Sequence, residues 1–331
     1  MCRPASSDSA RQSFALSFHP LMNTLTEDDV RRLLNPERVI IALEDAFRRR
    51  YPATLMPVRT QMNLANGVFI IMPCYDREGR GLGMKLVMVS DNSSNPDQKL
   101  HATYLLLDPE TGQPKHLISA TYLTELRTAA VSAVATKFLA REDAKVLGIF
   151  GAGRQARAHL QVLRLVKNFE HFLISGLDPG RSREFAQQMA EELGGKVESV
   201  YSRTCAAESD VLCTCTTSKT PLFDGHLLRP GTHVNAIGAF QPHTREVDDT
   251  TVQRARVIVD TYEGALAEAG DLLIPISNGL ITRKHIIADL HELVSGKKAG
   301  RTKATDITLF KSVGCALEDL VTAELLQQEA N

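Results

Sequence analysis

The stretch Val146–Leu160, VLGIFGAGRQARAHL, decides how the rest of this chain is read. An apolar run breaks at Gly151, Ala152 and Gly153, and helix-forming sequence begins at Arg154, Gln155 and Ala156. In a strand–turn–helix of this kind the first glycine permits the tight turn. The second lets backbone approach a pyrophosphate, and Ala156 keeps helix and strand close. The free N–H groups of the helix start then face the anion. The motif is short and gains weight from the segments downstream of it. HFLISG, KVESV, VLCTCT, THVNAI and RVIVD read as further strands, and RSREFAQQMAEEL as a helix after the first of them. This alternation predicts a doubly wound parallel sheet, a Rossmann domain that binds a dinucleotide.

Upstream of residue 120 the pattern is different. After two helical segments, from Leu25 and Pro36, the period changes to two: VRTQMNL, VFIIMP, GMKLVMV, HATYLLLD and PKHLISA are short β-rich runs parted by turn residues. Strands with no helices between them predict an antiparallel sheet. The fold expected is therefore α/β, with an α+β antiparallel-sheet domain ahead of the Rossmann domain. The divisions expected are a Ser-rich tail over 1–22, a first domain over 23–125 completed by 302–331, and the dinucleotide domain over 126–301.

The bulk numbers exclude several classes. A formal net charge of -1 without a dense Lys/Arg run argues against nucleic acid or an anionic membrane as the main partner. No apolar run reaches the roughly 18 residues of a membrane span. The six cysteines form neither a disulfide framework nor a Cys/His metal pattern, so no metal is expected. Free thiols suit a reducing compartment, and a cytoplasmic location is expected.

The second strand of such a sheet ends in an acid where a ribose 2′-hydroxyl is recognised. Here Gly176 takes that place, Asp178 comes two residues later, and Ser175, Arg181, Ser182 and Arg183 suit a 2′-phosphate. NADP(H) is therefore favoured over NAD(H). Thr216, Thr217 and Ser218 follow the fourth strand, and Ile237 and Gly238 the fifth, at the carboxyl ends where such sheets bind ligands. Phe240 projects from the same edge, either bordering the nicotinamide or only packing there. His101, His233 and His243 receive no role. Glu246 and Asp248 are read as the start of the next helix.

Two cations stand out by periodicity. Arg127 lies on a helical stripe with Leu123, Ala130, Val131, Val134 and Phe138, where a charge is costly without a partner. Lys85 shares a strand face with Gly83, Val87 and Val89. Arg59 gives a weaker signal beside Gln61 and Asn63. Each alone fits an ordinary ion pair as well as a site.

From Met22 onward the chain resembles the ornithine cyclodeaminase/mu-crystallin family. The resemblance is carried by PVRTQM, GMKLVMVSDNSSNP, LTELRTAAVSAVATKFLA, IFGAGRQARAHL, NAIGAFQPHTREVDD, EAGDL and ITLFKSVGCALEDLVTA. It implies a homodimer formed through the first domain, a substrate carboxylate held by Arg59 and Arg127, and Lys85 beside the reacting carbon–nitrogen bond. It also implies that Ser312 and Gly314 return toward the nicotinamide. Ornithine cyclodeaminases carry an aspartate where this chain has Phe240 and a glutamate where it has Ile70. A site without those carboxylates has little to bind or deprotonate a side-chain ammonium. The reaction expected is hydride transfer to the C=N carbon of a cyclic α-imino acid, such as Δ1-pyrroline-2-carboxylate going to L-proline. An alanine-type amino-acid dehydrogenase, an ornithine or lysine cyclodeaminase and a non-catalytic NADPH- and small-ligand-binding protein remain as alternatives.

Overall fold

The computed structural model describes residues 22–78, 80–90 and 100–330. The expected tail (apart from Met22), Cys2 and the 91–96 part of one resemblance stretch lie outside the described residues.

The first sheet is built from β1 (Asn23–Leu25), β2 (Thr54–Leu55), β3 (Thr60–Leu64), β4 (Gly67–Asp76), β5 (Leu82–Ser90), β6 (Leu100–Leu107) and β7 (Pro114–Ser119), in the order β1-β7-β6-β5-β4-β2 with β3 also on β4. The hairpin-linked strands are antiparallel, as expected, but β1 pairs with β7 in parallel, so the sheet is mixed. Between β1 and β2 come α1 (Glu27–Leu33), closed by a Thr26/Asp29 capping box, and α2 (Pro36–Asp45), capped by Asn35 with proline in its first turn. One face of the sheet is buried, with Ile70, Met72 and Cys74 on β4, Lys85 and Val87 on β5, and Ala102, Tyr104 and Leu106 on β6.

Next, α3 (Thr121–Leu139) carries a core of small residues, with Ala129, Ala130, Ala133 and Ala135 fully buried. These let α2, and later α4, approach closely. The helix serves both halves of the molecule, so the division expected at 125/126 falls inside a rigid element.

The second sheet contains β8 (Val146–Phe150), β9 (His171–Ser175), β10 (Lys196–Ser199), β11 (Val211–Thr214), β12 (His233–Ala236), β13 (Ala255–Val259), β14 (Ile286–Asp289) and β15 (Ile307–Lys311). All are parallel, in the order β10-β9-β8-β11-β12-β15-β13-β14. Its helices are α4 (Arg154–Leu163), α5 (Pro179–Leu193), α6 (Ser202–Glu208), α7 (Asp249–Arg254), α8 (Tyr262–Glu268), α9 (Gly270–Ser277) and α10 (Leu290–Val294).

The strand β15 lies beyond the expected division at 301/302 and belongs to the parallel sheet. Every residue of β15 is buried, and the strand inserts between β12 and β13. The parallel sheet thus runs to Lys311. Residues 312–315 emerge at its carboxyl edge, and only α11 (Ala316–Ala330) returns to the first domain, lying across the buried face of β4, β5 and β6. Ala316 to Ala323 are buried without exception, so the first two turns of α11 lack the polar face expected of an amphipathic helix.

Candidate active site

At the dinucleotide edge the glycine turn has the geometry the sequence implies. Gly151 adopts φ 121°, donates to Ser175 O at 2.8 Å, and would bring a Cβ within 2.6 Å of Cys215 O. Only glycine satisfies both conditions. Gly153 is the N-cap of α4 with no side-chain cap, and a Cβ there would meet nothing within 4 Å. The first turn of α4 therefore offers open space and unclaimed N–H groups, which is what an anionic pyrophosphate needs. Ala156 is fully buried against the strand. Arg154 is tied to Glu125 on α3 at 3.2 Å, while Gln155 O meets His159 Nδ1 at 2.8 Å.

No acid stands at the end of β9. Asp178 spends its carboxylate capping α5 through Gly180 N (2.8 Å) and Arg181 N (3.2 Å). Arg181 and Arg183 are exposed on the first turns of that helix, and Ser175 is buried at the strand end.

The carboxyl ends of β11 and β12 are joined by a residue that local sequence reading misassigned. Asp248 does cap α7. Glu246, however, is fully buried. It accepts from Thr214 Oγ1 (2.7 Å), Thr216 N (2.8 Å), Thr216 Oγ1 (2.7 Å), Gly238 N (2.6 Å) and Ala239 N (3.1 Å). Its own N–H donates to Asp271 at 2.7 Å, and Asp271 pairs with buried Lys311 at 2.8 Å. Burial, with Asp271 nearby, pushes the Glu246 pKa up. The backbone at Thr216, Gly238 and Ala239 is thus held by one carboxylate. Gly238 has no room for a side chain, because a Cβ would overlap Thr216 O.

Residues 312–315 turn back over this edge on another carboxylate. Asp260 Oδ2 accepts from Ser312 Oγ (2.9 Å), Val313 N (2.7 Å) and Gly314 N (2.6 Å). Gly314, at φ 83°, brings its backbone against Arg127, and a Cβ would lie 2.7 Å from Arg127 Nη1.

The three cations converge here. Arg59 donates to Val313 O and to Gly314 O (2.8 Å), pairs with Glu268 at 2.9 Å, and lies 6.0 Å from the half-buried Phe240 ring. It lines a cleft with Met72, Thr261, Glu268 and Cys315. Arg127 and Lys85 lie deeper, behind Gly314. Arg127 donates to Glu318, and its Nε sits 2.9 Å from Asp319 Oδ1. Lys85 donates to the same Asp319 oxygen at 2.8 Å. Burial, then the Arg127 charge, pushes the Lys85 pKa down to about 8. For Arg127 burial acts the same way, but Asp319 and Glu318 outweigh it and the pKa rises.

The expectation of a site without carboxylates is corrected by this geometry. Ile70 is buried and apolar and the Phe240 ring lies 6.0 Å from Arg59, but Glu268, Glu318 and Asp319 pair with the three cations. Burial raises the pKa of both Glu268 and Glu318. The signal that finds the last two is the one that found Arg127. Glu318 and Asp319 sit among Leu317, Leu320 and Val321, and charges in so apolar a setting require partners.

The model of the ornithine cyclodeaminase/mu-crystallin family matches residues 21–331. A Δ1-pyrroline-2-carboxylate reductase of Bacillus cereus is 35% identical over 93% of this chain and 97% of its own length. The ketimine reductase mu-crystallin of Rattus norvegicus is also 35% identical, over 91% of this chain and 95% of its own. Among solved structures, the Δ1-pyrroline-2-carboxylate reductase of Thermococcus litoralis in complex with NADH and L-proline superposes with a TM-score of 0.90 at 39% identity, covering 93% of this chain and 97% of that one. From residue 21 through the terminal helix, the chain belongs to the ornithine cyclodeaminase/mu-crystallin family.

Proposed function

We propose that this chain is an NAD(P)H-dependent reductase of cyclic α-imino acids, with Δ1-pyrroline-2-carboxylate to L-proline as its reference reaction. The observation that carries the reading is the cluster of Arg59, Lys85 and Arg127 at the carboxyl edge of the parallel sheet, with the apolar Phe240 ring 6.0 Å from Arg59. The relatives from Bacillus cereus and Thermococcus litoralis support it, the latter having been solved with NADH and L-proline.

The residues fit a nicotinamide dinucleotide. Gly151 to Ala156 would hold its pyrophosphate, with Thr216 to Ser218, Ile237, Gly238, Ser312 and Gly314 along the remainder of the edge. When bound, that cofactor supplies the hydride. Arg59 meets the substrate carboxylate at the cleft, and Arg127 supports it from behind Gly314. Fixing the imine carbon in this way contributes several kcal/mol through orientation alone. Lys85, buried and held as an ammonium by Asp319, supplies the proton that the imine nitrogen gains. Both Phe240 and Ile70 favour a ring or alkyl chain over a side-chain ammonium.

NADP(H) is the preferred cofactor in this reading. No acid ends β9, Asp178 is committed to its cap, and Arg181 in the first turn of α5 is exposed. The protein works as a homodimer through the first domain. All five residues of β3 are exposed, among them Met62 and Leu64, and Leu55 and Val58 just ahead of it are exposed apolar residues as well.

One assay tests the reading. Oxidation of NADPH and NADH is followed with pyrroline-, piperideine- and thiazoline-carboxylates, beside pyruvate with ammonia. Cyclic imines consumed faster than pyruvate support it. Turnover confined to pyruvate and ammonia makes the chain an amino-acid dehydrogenase.

A further inference from the structure

The cations of the site are already spoken for. Arg59, Lys85 and Arg127 pair with Glu268, Glu318 and Asp319, and all three of these acids are buried. A substrate carboxylate that arrives among them brings a negative charge with no cation left to match it. In a buried setting such a charge is strongly disfavoured.

Glu268 is the acid placed to answer it. It is the last residue of α8, in the parallel-sheet half, whereas Arg59 lies ahead of β3 in the first domain. Both line the cleft. Their side chains, 7% and 8% exposed, meet across it with Arg59 Nε 2.9 Å from Glu268 Oε2. Gln61 on β3 donates to the other oxygen at 3.2 Å. The backbone that carries Glu268 is fixed. A Cβ at Gly264 of α8 would lie 3.1 Å from Val313 Cγ2, and one at Gly270, two residues beyond Glu268, would overlap Thr244 O. The carboxylate therefore stays beside Arg59 when a second carboxylate enters. Glu318 and Asp319 lie behind Gly314 with Arg127 and Lys85, away from the cleft opening.

We propose that Glu268 takes up a proton when the substrate carboxylate binds Arg59, so that substrate binding weakens as pH rises. The proposal rests on the imine-reductase reading, which puts that carboxylate on Arg59. The step is an exchange of partners. Arg59 passes from Glu268 to the substrate, and the Glu268 carboxylate gains a proton from water in the cleft and becomes a neutral acid. Two carboxylates on one guanidinium titrate as a coupled pair, and the second anion favours the proton. Burial already raises the Glu268 pKa against the opposing pull of Arg59, and Asp260 pushes it the same way as burial. The charged and titratable groups facing Glu268 are Arg59 ahead of β3, Asp260 after β13 and, along the cleft, Glu263 of α8 and Cys315. Glu268 acts on the substrate through Arg59 and sets its affinity.

The test is isothermal titration calorimetry of the NADPH-saturated protein with pyrrole-2-carboxylate, in two buffers of different ionisation enthalpy. The ring of this anion is aromatic: it accepts no hydride and its nitrogen accepts no proton, so any proton taken up belongs to the protein. Lys85, at about 8, already holds its proton near neutral pH. The wild type takes up close to one proton per analogue bound, and its Kd rises by roughly tenfold between about pH 6.5 and about pH 7.5. Glu268→Gln takes up none, and its Kd is independent of pH. At the upper pH it binds the analogue roughly tenfold more tightly than the wild type, the reverse of what loss of a structural contact does. If the variant does not fold, the wild-type proton count decides alone. A count of zero with a Kd that does not vary with pH overturns the proposal. So does a Glu268→Gln protein that takes up the proton as before, or one that binds more weakly than the wild type. A wild type that does not bind the analogue overturns the carboxylate-binding role of Arg59 and the proposal with it. Turnover of cyclic imines then judges the reductase reading separately.

Discussion

Lys85 carries the chemistry of the proposed reaction in a single side chain. The residue is 1% exposed, and its pKa sits at about 8 because burial disfavours the charge more than Asp319 restores it. Below that value Lys85 holds the proton the imine requires. The rate of reduction therefore falls as pH rises through about 8, and a pH–kcat/KM profile measures that limb. Lys85→Met removes the limb and lowers kcat by roughly a hundredfold or more, with cofactor affinity retained. Glu246 makes the opposite kind of prediction. Glu246→Ala strands five donors at the carboxyl ends of β11 and β12, and chemical denaturation should show a loss of about 3–5 kcal/mol. Arg127 and Lys85 were legible because each breaks an apolar pattern of its own element. Glu318 and Asp319 break an apolar pattern in the same way, but which cations they meet lies in contacts nearly two hundred residues or more away along the chain, as it does for Glu268.

At the scale of elements, two glycines join turn to function. Gly151→Ala places a methyl group 2.6 Å from Cys215 O at a φ of 121°, so it should abolish cofactor binding in a fluorescence titration with NADPH. Gly314→Ala presses on Arg127 from a strained backbone, and should raise the KM for imine with little change in cofactor affinity. The glycine turn, α4 and the alternating strands could be read directly, since their period and punctuation are local. The place of β15 could not. Its largely apolar residues fit a strand, but only assembly of the sheet puts them between β12 and β13. That insertion delivers Ser312 and Gly314 to the carboxyl edge.

For the whole molecule, one helix and one strand couple the halves. The strand β15 ends the parallel sheet, and α11 at once crosses to the first sheet carrying Glu318 and Asp319 to Arg127 and Lys85. The site therefore exists only when both sheets are assembled. The exposed strand β3 predicts self-association, and Met62→Asp with Leu64→Asp should convert a dimer to a monomer in sedimentation velocity. The measurement that tests the central claim most directly is product analysis with NADPH. The result predicted is reduction of Δ1-pyrroline-2-carboxylate to L-proline, one NADPH consumed per proline, with no ammonia released from L-ornithine. Efficient release of ammonia from L-ornithine, with the imine left untouched, would contradict it.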